Sequence, residues 1–200
     1  MKKYFTLSSW LTLLQKLGKE KQKILSPRTL QAASGLKRAA ALKAVQRLSQ
    51  HGYLIKLFKN AYANKFSPPS LEELAMFYGK PCYISFESAL EDRGLISQAP
   101  QVLTCATTRK LKNRATPLGE IIFHHLSRRL FNNFENDRGI LRATAEKALL
   151  DYLYIKSKTR LPLPSLDEFN LEQLNKKMIR KIAQPFPPAI RLKITAIIRR

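Results

Sequence analysis

SPRTLQAASGLKRAAALKAVQRLSQHG, residues 26–52, followed by YLIKLFKNAYANKF, residues 53–66, is the stretch whose reading decides the fold. Ser26-Pro27 signals a helix start, because a serine oxygen accepts from the free amides of a first turn and proline has no amide hydrogen to leave unpaired there. A helix is expected from Pro27 to Ala33. Ser34-Gly35 interrupts it, glycine being able to adopt the left-handed conformation of a tight inter-helix turn. A second helix is expected from near Lys37 to Gly52, where another glycine closes it. Ala41, Ala44, Val45 and Leu48 recur at i, i+3, i+4 and i+7, one core-facing stripe. Arg38, Lys43, Gln46 and Arg47 take the opposite face, and small Ala39 and Ala40 permit close approach to a groove. Tyr53 to Phe58 is β-rich, Lys59-Asn60 is turn-like, and Ala61 to Phe66 alternates as a returning strand. That order is a winged helix-turn-helix. Upstream, Trp10, Leu11, Leu13, Leu14 and Leu17 mark an amphipathic first helix, with Trp10 as a core anchor rather than a platform for bases.

Charge follows the same division. The first seventy residues hold fourteen lysines and arginines against one acidic residue, Glu20, a net +13, whereas residues 71–155 carry +1 and residues 156–200 carry +8. Clustered cations that neutralise phosphates release condensed counterions, which gives sequence-independent, salt-sensitive affinity for nucleic acid. The expected contacts to double-stranded DNA are Arg28, Lys37, Arg38, Lys43, Gln46, Arg47, Lys56 and Lys59. Residues at a recognition-helix start reach base edges, while its flanks and the wing, near Lys56, Lys59 and Lys65, hold phosphates. The plain alternative is a solvated helix face.

A chain of 200 residues with 44% hydrophobic content can bury a core. No apolar run approaches the roughly 20 residues needed to span a bilayer. The start, Met1-Lys2-Lys3-Tyr4-Phe5 leading into Ser8-Ser9-Trp10-Leu11, has no signal-peptide core, so a cytoplasmic location without membrane attachment is expected. Cys82 and Cys105, in strand-like surroundings, are expected to be buried thiols and not a disulfide framework.

Pro68-Pro69 ends the basic head, so domains are expected at 1–68 and 70–155, with a basic helical tail at 156–200. In the middle segment Ser70-Leu71-Glu72-Glu73-Leu74 opens a helix, Tyr83-Ile84 is a short strand, and Ser85 caps a helix that Gly94 ends. Val102 to Thr108 and Gly119 to His125 read as strands joined by a basic loop. Thr144 caps a helix reaching Leu153. Short strands and helices without βαβ regularity make the whole an α+β protein, a winged helix-turn-helix followed by a mixed α/β domain. In the tail, Leu171, Leu174, Met178 and Ile182 mark a helix, and another restarts near Ile190 after Pro185, Pro187 and Pro188.

Several runs carry a resemblance. Asn60-Ala61-Tyr62-Ala63, the run Tyr83 to Leu90 with Gly94-Leu95-Ile96, the strand Gly119 to His125, and Ala145 to Asp151 resemble the AbiEi family, antitoxins of type IV toxin-antitoxin systems, over roughly residues 10 to 155. Ala145 stands where many relatives have proline. The resemblance implies a winged-helix domain that binds inverted repeats in its own promoter, with a homodimer on DNA as one arrangement. It also implies an antitoxin domain opposing a nucleotidyltransferase-like toxin, which need not touch it. Ser85, Glu87, Ser88, Glu146, Lys147 and Asp151 are the residues it assigns to antitoxin function. The tail matches no pattern of the family.

Catalytic chemistry is not visible in the sequence. No glycine falls in a phosphate-binding loop pattern, and His124-His125 lie on opposite strand faces and cannot grip one ion together. Lys147 and Asp151 have salt-bridge spacing, and Asp92-Arg93 read as a surface pair. Neither catalytic residues, nor a metal, nor a cofactor is expected. Two other readings compete: a stand-alone winged-helix regulator whose middle domain senses a ligand or a protein, and a nucleic-acid-processing enzyme.

Overall fold

The computed structural model describes residues 5–159 and 164–199, so Met1-Lys2-Lys3-Tyr4, residues 160–163 and Arg200 lie outside the described residues. The chain forms two compact units, Met1–Ser70 and Leu71–Arg200. It is α+β, with eight α-helices and two sheets among the described residues.

In the first unit, α1 (Leu7–Lys19) starts where the Thr6 hydroxyl accepts from the Ser9 amide, and ends on Lys16 and Lys19, cations suited to the negative end of the helix dipole. β1 (Ile24–Leu25) leads into α2 (Pro27–Ser34). Ser26 caps α2 by accepting from the Thr29 amide at 3.0 Å. Gly35, at φ 68°, closes it by donating to the Gln31 carbonyl, a backbone conformation that a side chain would penalise. α3 (Arg38–Gln50) follows, then β2 (Leu54–Phe58) and β3 (Ala61–Asn64), joined by Lys59-Asn60. The returning strand therefore stops two residues before Phe66. The sheet order is β1-β3-β2, all antiparallel. Trp10, Leu14, Leu17, Leu25, Leu30, Ala44, Val45, Leu48 and Leu54 fill the core. Buried Asn64 ties the sheet to α1, its amide donating to the Leu14 carbonyl at 2.8 Å while its oxygen accepts from the Phe66 amide.

The second unit is a six-stranded sheet ordered β6-β7-β5-β4-β9-β8. Its strands are β4 (Cys82–Ile84), β5 (Leu103–Thr107), β6 (Arg114–Thr116), β7 (Gly119–His125), β8 (Phe134–Asp137) and β9 (Ile140–Ala143). β4 with β9 and β5 with β7 are parallel, and the remaining pairs antiparallel. Four helices complete the fold before the last: α4 (Leu71–Gly79), α5 (Phe86–Asp92), α6 (Ala145–Lys156) and α7 (Lys176–Ile182); α8 (Pro188–Arg199) ends it. Successive strand residues face opposite ways. Cys82 donates to the Ala75 carbonyl of α4, whereas Tyr83 donates to Asp151 of α6, so those helices cover opposite faces of the sheet. That double coverage is why all three residues of β4 are buried. Gly79 ends α4 where a Cβ would lie 2.5 Å from the Phe123 ring and 2.8 Å from the Cys82 sulfur.

Three sequence expectations need correction here. The basic loop between the two expected strands contains β6, and the Phe134–Ala143 segment forms a hairpin where no strand was expected. Leu171 and Leu174 precede α7, which begins only after Asn175 caps it with bonds from the Lys177 and Met178 amides, each 3.0 Å. The tail belongs to the same compact unit as residues 71–155. The Asn175 amide donates to the Glu146 carboxylate at 2.9 Å, and the Phe186 ring lies edge-on to Tyr154 of α6 at 5.9 Å.

Candidate functional site

All eight residues expected to meet DNA, Arg28, Lys37, Arg38, Lys43, Gln46, Arg47, Lys56 and Lys59, are exposed or partly exposed. Among the described residues none of their cations lies within ion-pair distance of a carboxylate. Cations without a carboxylate partner among the described residues are free to meet an external anion. The core stripe of α3, Ala41, Ala44, Val45 and Leu48, holds the helix down and turns its polar face outward. That face is split between two grooves. Arg28 and Arg38 line one of about 440 Å³ with Gln31, Leu42 and Asn60. Lys43 and Arg47 line another of about 380 Å³ with Phe5, Trp10, Leu36 and Ala40. Gln46 falls between the two flanks by helical rotation. The start of α3 has no side-chain cap from Lys37 and no acidic residue in its first turn, so its free amides and positive dipole end add to the cationic character.

The residues assigned by resemblance to antitoxin function lie mostly inside the second unit. Ser85, Ser88, Glu146, Lys147 and Asp151 are buried, and Glu87 alone is partly open. Ser85 occupies the N-cap position of α5 but makes no capping bond; its hydroxyl donates instead to Asp151 Oδ2 at 2.8 Å. Tyr83 donates to the same oxygen at 2.7 Å, and the Lys147 amine bonds Oδ1. The Lys147–Asp151 ion pair is fully enclosed, with the amine over the Tyr83 and Phe186 rings at 5.6 and 5.2 Å. Burial pushes the lysine down from its ordinary value and the carboxyl up, each opposed by the charge of the other. The Tyr83 phenol is pushed far up, first by burial and then by the Asp151 charge. Phe86, the residue after Ser85, sits at φ 57°, where a bulky side chain is strained.

Ser88 clamps α5 to β5: its amide donates to Thr104 Oγ1 at 3.0 Å and the Thr104 amide donates back to its hydroxyl at 2.9 Å. Glu87 pairs with Lys156 at 3.4 Å and borders a groove of about 470 Å³ that Tyr152, Glu168, Phe169 and residues 96–101 also line. Asp92 and Arg93 do not form the expected pair: Asp92 meets Arg142, which also holds Glu72, and Arg93 holds Glu135 at 2.7 Å.

Cys82 and Cys105 are free and buried, and burial pushes the Cys82 thiol up to about 12. His124 is half-buried with its ring 4.5 Å from that of Phe86, while His125 is exposed on the other face. No group of three or more His, Cys, Asp or Glu side chains among the described residues is placed to hold a metal ion. No helix of the described residues is long and apolar enough to cross a membrane. Sequence reasoning missed Tyr83 and Thr104 as cluster members because their partners come from distant segments. Thr104 had no signal beyond its place in a strand; Tyr83, two residues before Ser85 in the quoted motif, did.

No family model matches this chain, and no curated protein matches it. Among solved structures, the crystal structure of the RV2827C protein from Mycobacterium tuberculosis is similar, with a TM-score of 0.61 at 12% identity, covering 99% of this chain and 79% of that one. At that identity the likeness is one of fold.

Proposed function

We propose that this chain is a DNA-binding antitoxin and transcriptional autorepressor of a type IV toxin-antitoxin operon. Its first unit is a winged helix-turn-helix that takes inverted repeats in its own promoter, and its second opposes a nucleotidyltransferase-like toxin in the cytoplasm. One observation carries the DNA-binding part: α3 presents an outward polar face whose cations have no carboxylate partner among the described residues, beside the Lys59-Asn60 turn of a three-stranded antiparallel sheet. A helix of this kind can enter a major groove while a hairpin rests on the backbone. The antitoxin part is supported by the resemblance, whose separate motifs, Tyr83 to Leu90 and Ala145 to Asp151, meet through Ser85, Tyr83 and Asp151.

The test pairs two measurements on the full chain: binding to the DNA upstream of its own gene against scrambled duplex, and rescue of growth when a neighbouring nucleotidyltransferase gene is induced. Preferential binding together with rescue is the expected result. Equal binding to both duplexes at low salt removes the repressor reading, and binding without rescue removes the antitoxin one. In that last case the second unit is a sensor, a reading favoured by the groove beside Glu87 and Tyr152.

A further inference from the structure

We infer that the second unit carries its own binding face for the phosphate backbone of duplex nucleic acid, formed by α7 and the turn after β7. Lys177 and Lys181, one helical turn apart, line a groove of about 510 Å³ with Asn132, Asn133, Met178 and Pro185. Arg128 and Arg129 flank it on the chain, and the Arg129 carbonyl accepts from the Asn132 side chain at 3.1 Å. Asn133 in turn donates to the Asn132 oxygen at 2.7 Å, so the amide wall is held in place before any ligand arrives. All four cations are exposed, and among the described residues none has a carboxylate within ion-pair distance. Arg93, Arg142, Lys147 and Lys156 are each paired with an acid, and what sets Lys177 and Lys181 apart from the other unpaired cations is the amide-lined groove that they share.

The chemistry of the lining selects the partner. Lysines, arginines and amides donate to phosphate oxygens, whereas no aromatic side chain lines the groove on which the bases of a single strand could stack. A backbone held by charge and amides, with the bases turned away, is a duplex contact. The α7 start contributes nothing to this, since Asn175 already occupies its amides. The inference stands apart from the reading of α3, and the two fail separately.

The experiment measures the salt dependence of full-length protein binding to non-specific duplex DNA. Each phosphate contact contributes about 0.9 to the slope of log K against log salt. K177Q/K181Q is expected to lower that slope by about 1.8 with the melting temperature unchanged, and K177R/K181R to restore it. R38A/K43A/R47A tests the first unit in parallel; adding K177Q/K181Q to that variant should lower its remaining salt slope by about 1.8 again. An unchanged slope in K177Q/K181Q overturns the inference. So does an equal drop in K110Q/K112Q, whose lysines are exposed elsewhere on the unit, or a preference for single-stranded over duplex DNA.

Discussion

Tyr83 and Asp151, 68 residues apart in the chain, are joined by a 2.7 Å hydrogen bond from phenol to carboxylate in the interior of the second unit. Ser85 and Lys147 complete the coordination of that carboxylate. Removing one charge of a buried pair leaves the other uncompensated, which costs about 3–5 kcal/mol, whereas replacing both by apolar groups is often close to neutral. Lys147→Met should therefore be destabilised by about that much in urea unfolding, and Lys147→Met with Asp151→Leu should recover a large part of the loss. Additive losses in the double variant contradict an ion pair that acts as a unit.

His124 makes stability depend on pH. Burial holds its imidazole below the ordinary value of 6.5, with the nearby Glu87 charge opposing and Lys156 and Lys158 reinforcing the shift. The unfolded chain takes up the proton first as pH falls, so the contribution is present above 6.5 and is lost as pH drops from 6.5 through the lower folded value. Melting temperature followed from about pH 7.5 down to the carboxylate range should fall in that window, and His124→Gln should flatten the fall. A wild-type curve that is flat there, or a variant with the same slope, contradicts the assignment.

Gly79 allows a close approach of α4 to the sheet, because an added methyl would meet the Phe123 ring and the Cys82 sulfur inside contact distance. Gly79→Ala should be destabilised by about 1–3 kcal/mol through overpacking. Gly52 has open space within 4 Å of where a methyl would stand but a φ of 69°, so Gly52→Ala should lose stability through backbone strain alone. Combining Gly79→Ala with Cys82→Ala and Phe123→Leu tests the steric account: the added space should reduce the cost of the methyl.

Arg38 should differ from Lys43 and Arg47. It lies at the start of α3 in the groove shared with Arg28 and Asn60, where a guanidinium fork can reach guanine. Arg38→Ala should cost about 1–3 kcal/mol on promoter DNA and less on scrambled duplex. Lys43→Ala and Arg47→Ala, on the other flank, should weaken both duplexes alike and each lower the salt slope by about 0.9. Equal losses for Arg38→Ala on both duplexes move it to the phosphate class.

Glu87 is the one open member of the set that the resemblance assigns to antitoxin function, so it separates function from folding. Glu87→Lys reverses a charge at the groove mouth and removes the Lys156 pair, a partly exposed contact contributing little stability. Growth rescue should fail while melting temperature and promoter binding stay near wild type. Ser88→Ala, which breaks the clamp on β5, should instead lower stability and both activities together.

The first unit was the more legible half because its signals are local. Ser26-Pro27, Gly35 and the Ala41 to Leu48 stripe each act within a few residues, and α2 and α3 fall where those signals put them, within one or two residues. β1 escaped because two residues have no period to read, and its existence depends on pairing with β3 across the unit. In the second unit the i to i+4 spacing of Lys147 and Asp151 was readable, but their burial was not, since charged helical residues ordinarily face water. What encloses them includes Phe186, from a tail whose prolines read as interruption rather than packing. Ser85 shows the same limit: cap position is a local property, whereas its actual partner lies 66 residues away.

The Phe186 ring over the Lys147 amine has a consequence for the order in which the protein is made. Synthesis is vectorial, and domains close as soon as their own residues have emerged from the ribosome. The basic head, complete at Ser70, can close while most of the second unit is still being translated. The buried charge pair lacks one wall of its enclosure until Phe186 has been made. A nascent or prematurely terminated chain would thus present a finished cationic head joined to an open second unit, with the ammonium of Lys147 facing water.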